Sequence, residues 1–233
     1  MYTRLLLCLM CLLPYSFAFA GYSISPVRIY LKPDEKVASI SMTNETDTEA
    51  TFQLAVYKWT RVRGQDVYEE SQDILVTPVV FSFAPAKTQL IRIAQRHNAK
   101  ITEERAYRLF IKELPSRQSD EKNAVNVVLQ FGIPVFLIPS KSNTGSLACK
   151  VMQKENKFNL SCSNTYNQHV LISGIDAKEN PDLPPRKISM NQYLFQDEHS
   201  VFPINVPAGV PMHNLSLITL YQGRKIHTPL KVE

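Results

Sequence analysis

The chain has 233 residues, with 15 prolines against only 7 glycines and a formal charge of +5. A balance that mild, with no Lys/Arg block interleaved with aromatics, excludes a nucleic-acid binder read from charge alone. The excess of proline over glycine suits many strands joined by rigid turns better than a flexible, disordered chain.

Arg4 supplies a short positive start, Leu5 to Leu13 form an almost unbroken apolar run, and Ala18-Phe19-Ala20 places small residues where a signal peptidase reads. This pattern predicts a secretory signal over 1–20, cleaved after Ala20. The alternative is an uncleaved anchor. That run falls short of the roughly 20 residues that span a bilayer, and Pro14 interrupts it. No later stretch is apolar enough to insert, so the mature chain, 21–233, reads as exported and soluble. Arg4 is the only charged residue of the signal, and its loss lowers the charge from +5 to +4. Cys8 and Cys11 leave with the signal. Cys149 and Cys162 remain in an oxidising compartment, across a polar stretch that reads as a hairpin, and predict a structural disulfide. Two isolated thiols are too few for a metal site.

The mature chain alternates from Ile24 to Leu31, then turns at Lys32-Pro33-Asp34. Strands follow at Val37–Met42, Thr51–Trp59, Leu75–Phe81 (with a proline break), Gln89–Ile93, Ala106–Leu114 and Val125–Ile138. Short β-branched and aromatic runs at about ten-residue intervals predict a β-sandwich. No amphipathic helix is evident, apart from a turn around Ile101 to Arg105. Trp59 reads as a core residue of this sandwich.

After Pro139 the segment Ser140–Gly145 is small, polar and aperiodic, which reads as a linker. Weaker strands follow at Leu147–Met152, Phe158–Ser163, Val170–Ile175, Tyr193–Phe195, Val201–Val206, Leu215–Tyr221 and Ile226–Val232. The expected fold is all-β, with one domain over 21–140 and a second β-sandwich over 145–233, by the usual domain-size prior.

Reactive constellations are missing from the sequence. There is no Gly-x-Ser-x-Gly, phosphate loop or His-Glu-x-x-His. His97, His169, His199, His213 and His227 follow no metal-ligand spacing and read as isolated exposed histidines. Glu103-Glu104 and Asp197-Glu198 read as acidic pairs in turns without partners. Asn44, Asn159 and Asn214 begin Asn-x-Ser/Thr triplets that read as chance. The expectation is a non-enzymatic protein without metal or cofactor.

In the run Asn123 to Pro139, Val125, Val127, Leu129 and Phe131 share one face of an extended strand, by the two-residue period. On pattern alone this is a core strand. Its surroundings carry a second reading. Thr77-Pro78 with Phe83-Ala-Pro85, then Thr88-Gln-Leu-Ile-Arg92-Ile, then Tyr107-Arg-Leu-Phe-Ile-Lys-Glu113-Leu-Pro115, then Leu129-Gln130 running to Pro139, stand in the order and near the spacing of one family. The chain resembles the periplasmic chaperones of the chaperone–usher pilus pathway, over nearly all of the first domain. Gly-Ile-Pro-Val-Phe and the short loop after Pro115 look more like its archaic branch.

The resemblance implies two immunoglobulin-like sandwiches at an angle with a cleft between them, in the periplasm. It also implies a function: completing immature pilus subunits by lending them a strand in parallel, then delivering them to an outer-membrane usher; whether the free chain self-associates through the same strand is left open by the sequence. The lent strand would be Val125, Val127, Leu129 and Phe131. Burying four such side chains contributes on the order of 6 to 12 kcal/mol gross, against about 4 to 15 kcal/mol for association. Main-chain pairing and a charged anchor are therefore expected to matter. The family's anchor is a cationic pair in the cleft between the domains, gripping the subunit's C-terminal carboxylate. Arg28 matches its arginine, while Pro134 stands where the family has a lysine; Arg105 and Arg108 are the candidate substitutes. Ile138 replaces an arginine of the family's interdomain ion network. The rival readings are a structural pilin or adhesin subunit, and a lectin-like or enzymatic sandwich.

Overall fold

The computed structural model describes residues 21–96, 101–115, 127–141, 145–155, 157–180, 182–221 and 223–233. The predicted signal segment, Val125 and His97 lie outside them. All helix or strand among the described residues is strand.

The first ten strands are β1 (Tyr22–Ser25), β2 (Ile29–Leu31), β3 (Val37–Asn44), β4 (Ala50–Val62), β5 (Gln65–Glu70), β6 (Ile74–Thr77), β7 (Val80–Phe83), β8 (Thr88–Gln95), β9 (Arg105–Leu114) and β10 (Gln130–Leu137). One sheet runs β1-β3-β8-β6, and the facing sheet runs β2-β10-β9-β4-β5 with β7 also on β4. Alternation decides what goes inside. On β8, Ile91 and Ile93 are fully buried, while Leu90 is 44% exposed on the other face. With Ile40 and Met42 they meet Phe52, Leu54, Leu109, Ile111, Ile133, Val135 and Leu137 from the second sheet in one core.

The second half contains β11 (Leu147–Lys154), β12 (Lys157–Asn164), β13 (Val170–Ala177), β14 (Arg186–Leu194), β15 (His199–Ile204), β16 (Leu215–Tyr221) and β17 (Arg224–Leu230). Its sheets run β11-β12-β15 and β14-β13-β16-β17, around a core that includes Leu160, Ile172, Ile175, Leu194 and Leu217. The chain thus forms two immunoglobulin-like sandwiches in tandem. Cys149 and Cys162 face each other across β11 and β12 and are joined by a disulfide, with their Cα atoms 4.2 Å apart. Closing a loop of this length stabilises the fold by about 3 kcal/mol in the chain-entropy model.

The first predicted strand divides in two. β1 pairs antiparallel with β3, Tyr22 opposite Asn44, whereas β2 pairs parallel with β10, Ile29 opposite Val135. Between Ser25 and Ile29 the chain leaves one sheet for the other, past Pro26, which has no N–H to give to a ladder. β2 therefore covers β10 only from Val135 to Leu137.

The joint between the sandwiches corrects several expectations. Trp59 is 3% exposed, but it lies with Ala106, Phe136, Leu171 and Tyr193 in a separate cluster drawn from both halves. His169 is not an exposed histidine. It is 5% exposed, its Nδ1 lies 2.7 Å from Glu104 Oε1, and its ring stacks on Phe136 with centroids 3.7 Å apart. Glu198 also has a partner, Arg61, at 3.0 Å. Burial disfavours charge on Arg61, but hydrogen bonds and attraction from Glu198 and then Asp66 outweigh it and raise its pKa.

Candidate functional site

Strand polarity at β10 follows from two main-chain bonds. Glu113 N–H donates to Leu129 O at 2.8 Å, and Ile138 N–H donates to Leu31 O at 2.9 Å. In an extended strand N–H and C=O groups alternate sides, so odd-numbered groups here face β9 and even-numbered ones face the opposite edge. β2 takes that edge only beyond Pro134. Among the described residues, no strand pairs with it at Gln130 and Gly132.

The side chains of the expected strand grade from outside to inside. Val127 is 76% exposed and Leu129 39% exposed, with Val128 at 44% between them. Phe131 is partly buried against the first core, its ring 6.2 Å from that of Tyr22. Val127 and Leu129 precede the first paired residue of β10, Gln130. Exposed apolar side chains beside an unpaired strand edge are a template for another chain.

The basic residues separate by face. Arg108 lies directly opposite Pro134 on β9, and Ile29 opposite Val135 on the other side. Arg28, one residue earlier, and Arg108 therefore flank Pro134 at one level of the sheet. Arg28 donates from Nε to the Tyr193 hydroxyl at 2.8 Å. The Arg108 guanidinium lies 4.2 Å from the Trp59 ring centroid, a cation–π contact. Among the described residues neither has a carboxylate partner. Arg105 is not brought to them. It pairs with Leu137, three residues along on the alternate face, and lies 3.9 Å from Asp73.

Aromatic hydroxyls border this region. Burial, then the neighbouring Tyr193, raise the pKa of Tyr30, while Arg28 opposes the shift. A separate cleft of about 1210 Å³ opens between the sandwiches, lined by Trp59, Arg61 and Glu104 from one and Phe195, Glu198 and Phe202 from the other. Neither Arg28 nor Arg108 lines it. The described residues contain no cluster of three or more metal-ligating side chains, and no helix among them is long and apolar enough to cross a membrane.

The family model for pili and flagellar-assembly chaperones, PapD N-terminal domain, matches residues 21–143. The chain belongs to that family. Members are chaperones rather than enzymes, and this places the chain with pilus chaperones instead of pilin subunits or lectin-like sandwiches. No curated protein is detectably similar to the chaperone in sequence. Solved structures share its fold. A chain of the CsuC–CsuE chaperone–tip adhesion subunit pre-assembly complex, from the archaic chaperone–usher Csu pili of Acinetobacter baumannii, is 18% identical with a TM-score of 0.64, covering 92% of this chain and all of that one. A chain of the Salmonella enterica SafA pilin–SafB chaperone complex is 14% identical with a TM-score of 0.63, over 90% and 96% of the two chains. The CupB2 chaperone of Pseudomonas aeruginosa is 15% identical with a TM-score of 0.59, over 89% and 99%.

Proposed function

We propose that this chaperone works in the periplasm, completes pilus subunits by donating the strand that begins around Val125 and continues through Val127, Leu129 and Phe131, and delivers them to an outer-membrane usher. The observation that carries the reading is the open edge of β10 at Gln130 and Gly132, continuous with the exposed side chains of Val127 and Leu129. Main-chain groups on that edge pair with the subunit while the alternate side chains fill its groove, the mode known as strand addition.

Arg28 and Arg108 form the anchor for the subunit's terminal carboxylate, since guanidinium groups bind carboxylates through two parallel hydrogen bonds. Arg108 takes the place of the lysine that Pro134 displaces. The direction of the subunit strand follows. β10 runs from Gln130 toward Pro134, so a strand that pairs along the open edge and ends at Arg28 must run parallel to β10. The Gly132-Ile-Pro-Val-Phe136 ending supports membership of the archaic branch, and the N-terminal segment 1–20 acts as the export signal.

The test is co-purification with subunits from periplasm. Val127→Asp alters a side chain that is 76% exposed and leaves the melting temperature unchanged, as surface substitutions do. It is expected to abolish the subunit complex. A normal yield of complex from a folded Val127→Asp protein overturns the strand assignment.

A further inference from the structure

The β9–β10 ladder ends in an unusual way. Leu129 and Glu113 are opposite each other, and Glu113 N–H donates to Leu129 O at 2.8 Å. A regular antiparallel pair would return the bond from Leu129 N–H to Glu113 O. Instead, Leu129 N–H donates to the Glu113 side chain, Oε2, at 3.1 Å. The other carboxylate oxygen, Oε1, accepts from the Tyr22 hydroxyl, also at 3.1 Å. Tyr22 belongs to β1, in the facing sheet, and its ring packs edge-on against Phe52 with centroids 4.9 Å apart. One carboxylate thus ties the point where β10 frees itself from β9 to the opposite sheet of the sandwich.

We infer that Glu113 is a positioning residue for donation: the Tyr22–Glu113–Leu129 clasp holds Leu129 at the exit of the ladder and so sets the register in which Val127 and Leu129 meet a subunit. The inference rests on the donor-strand reading above. A slip by one residue would turn each apolar side chain of the donated segment to the wrong face, so a fixed point at the exit is needed where the ladder itself stops. Glu113→Gln keeps an acceptor for Leu129 N–H and can donate to the Tyr22 oxygen, whereas Glu113→Ala removes both contacts.

The experiment places a single cysteine at Val127 and cross-links it to the subunit that co-purifies with this chaperone, carrying cysteines one at a time along its groove. With Glu113 the cross-link is expected at one groove position. With Glu113→Ala it spreads over neighbouring positions, and with Glu113→Gln it returns to one. A merely stabilising role for Glu113 would lower the melting temperature of Glu113→Ala without moving the cross-link, and that result overturns the inference while leaving strand donation standing. Absence of any Val127 cross-link in the otherwise unaltered protein overturns both.

Discussion

His169 and Glu104 lie 2.7 Å apart with side chains only 5% and 4% exposed, and they come from different sandwiches. The same Glu104 oxygen accepts from His169 N–H at 3.1 Å, so one carboxylate holds both the ring and the main chain at the start of β13.

Removing that carboxylate leaves two buried donors without an acceptor. Each unsatisfied group costs about 1–3 kcal/mol. Glu104→Ala is therefore expected to lower unfolding free energy in urea by at least one such increment, and Glu104→Gln, which keeps an acceptor oxygen, by less. Equal stability of all three proteins would show that the pair does not hold the joint.

The two arginines beside Pro134 are expected to act together, and Arg105 apart from them. Hydrogen bonds to charged groups contribute about 1.5–3 kcal/mol, so Arg28→Ala and Arg108→Ala should each weaken subunit binding roughly 10- to 100-fold, at about 1.4 kcal/mol per tenfold. Arg28→Lys should recover only part, because an ammonium cannot bind a carboxylate through a planar fork. Arg105→Ala should leave affinity unchanged. Calorimetric titration of the variants against subunit measures all four, and a large loss from Arg105→Ala with none from Arg108→Ala would reverse the anchor assignment.

Alkaline stability should depend on Tyr22. Burial first, then the hydrogen bond to Glu113, push its hydroxyl from 10.0 up to about 12. A group that holds its proton more tightly when folded contributes stability that is fully present below its unfolded pKa and lost as pH rises through the folded one. Unfolding free energy is thus expected to decline between about pH 10 and 12. Burial, then a hydrogen bond to Asp73, also raise Tyr107, so the decline has two sources. Tyr22→Phe should start lower at neutral pH and fall less steeply. Parallel curves for the two proteins would remove Tyr22 from the account.

Period and turn spacing made the tandem sandwiches legible, because buried strands such as β3, β8 and β13 display their inward residues in the sequence. Strands with little to bury escaped. β5, Gln65–Glu70, is an edge strand that is almost wholly exposed and carries no apolar alternation. In β14 the buried residues are Ile188, Tyr193 and Leu194, so only its end resembled a strand. The division of Ile24–Leu31 was hidden because both pieces keep alternating; which sheet each joins is decided by partners far along the chain. The parity of β9 distinguishes Arg108 from Arg105, and the two-residue period could have separated them. The pairs Glu104–His169 and Arg61–Glu198 had no sequence signal. Their members are 65 and 137 positions apart and meet only when two separate sandwiches dock.

The passage of the first strand from one sheet to the other has a consequence for length. β2 lies parallel to β10 and begins at Ile29; a subunit strand on the open edge, also parallel, would occupy the same lane just upstream. Guest and host would then lie nose to tail, with Arg28 at the seam. Such a lane measures its occupant: a subunit extended by even two residues at its C-terminus, at about 3.3 Å each, would run into Ile29 and have to bulge outward or back away from the guanidinium.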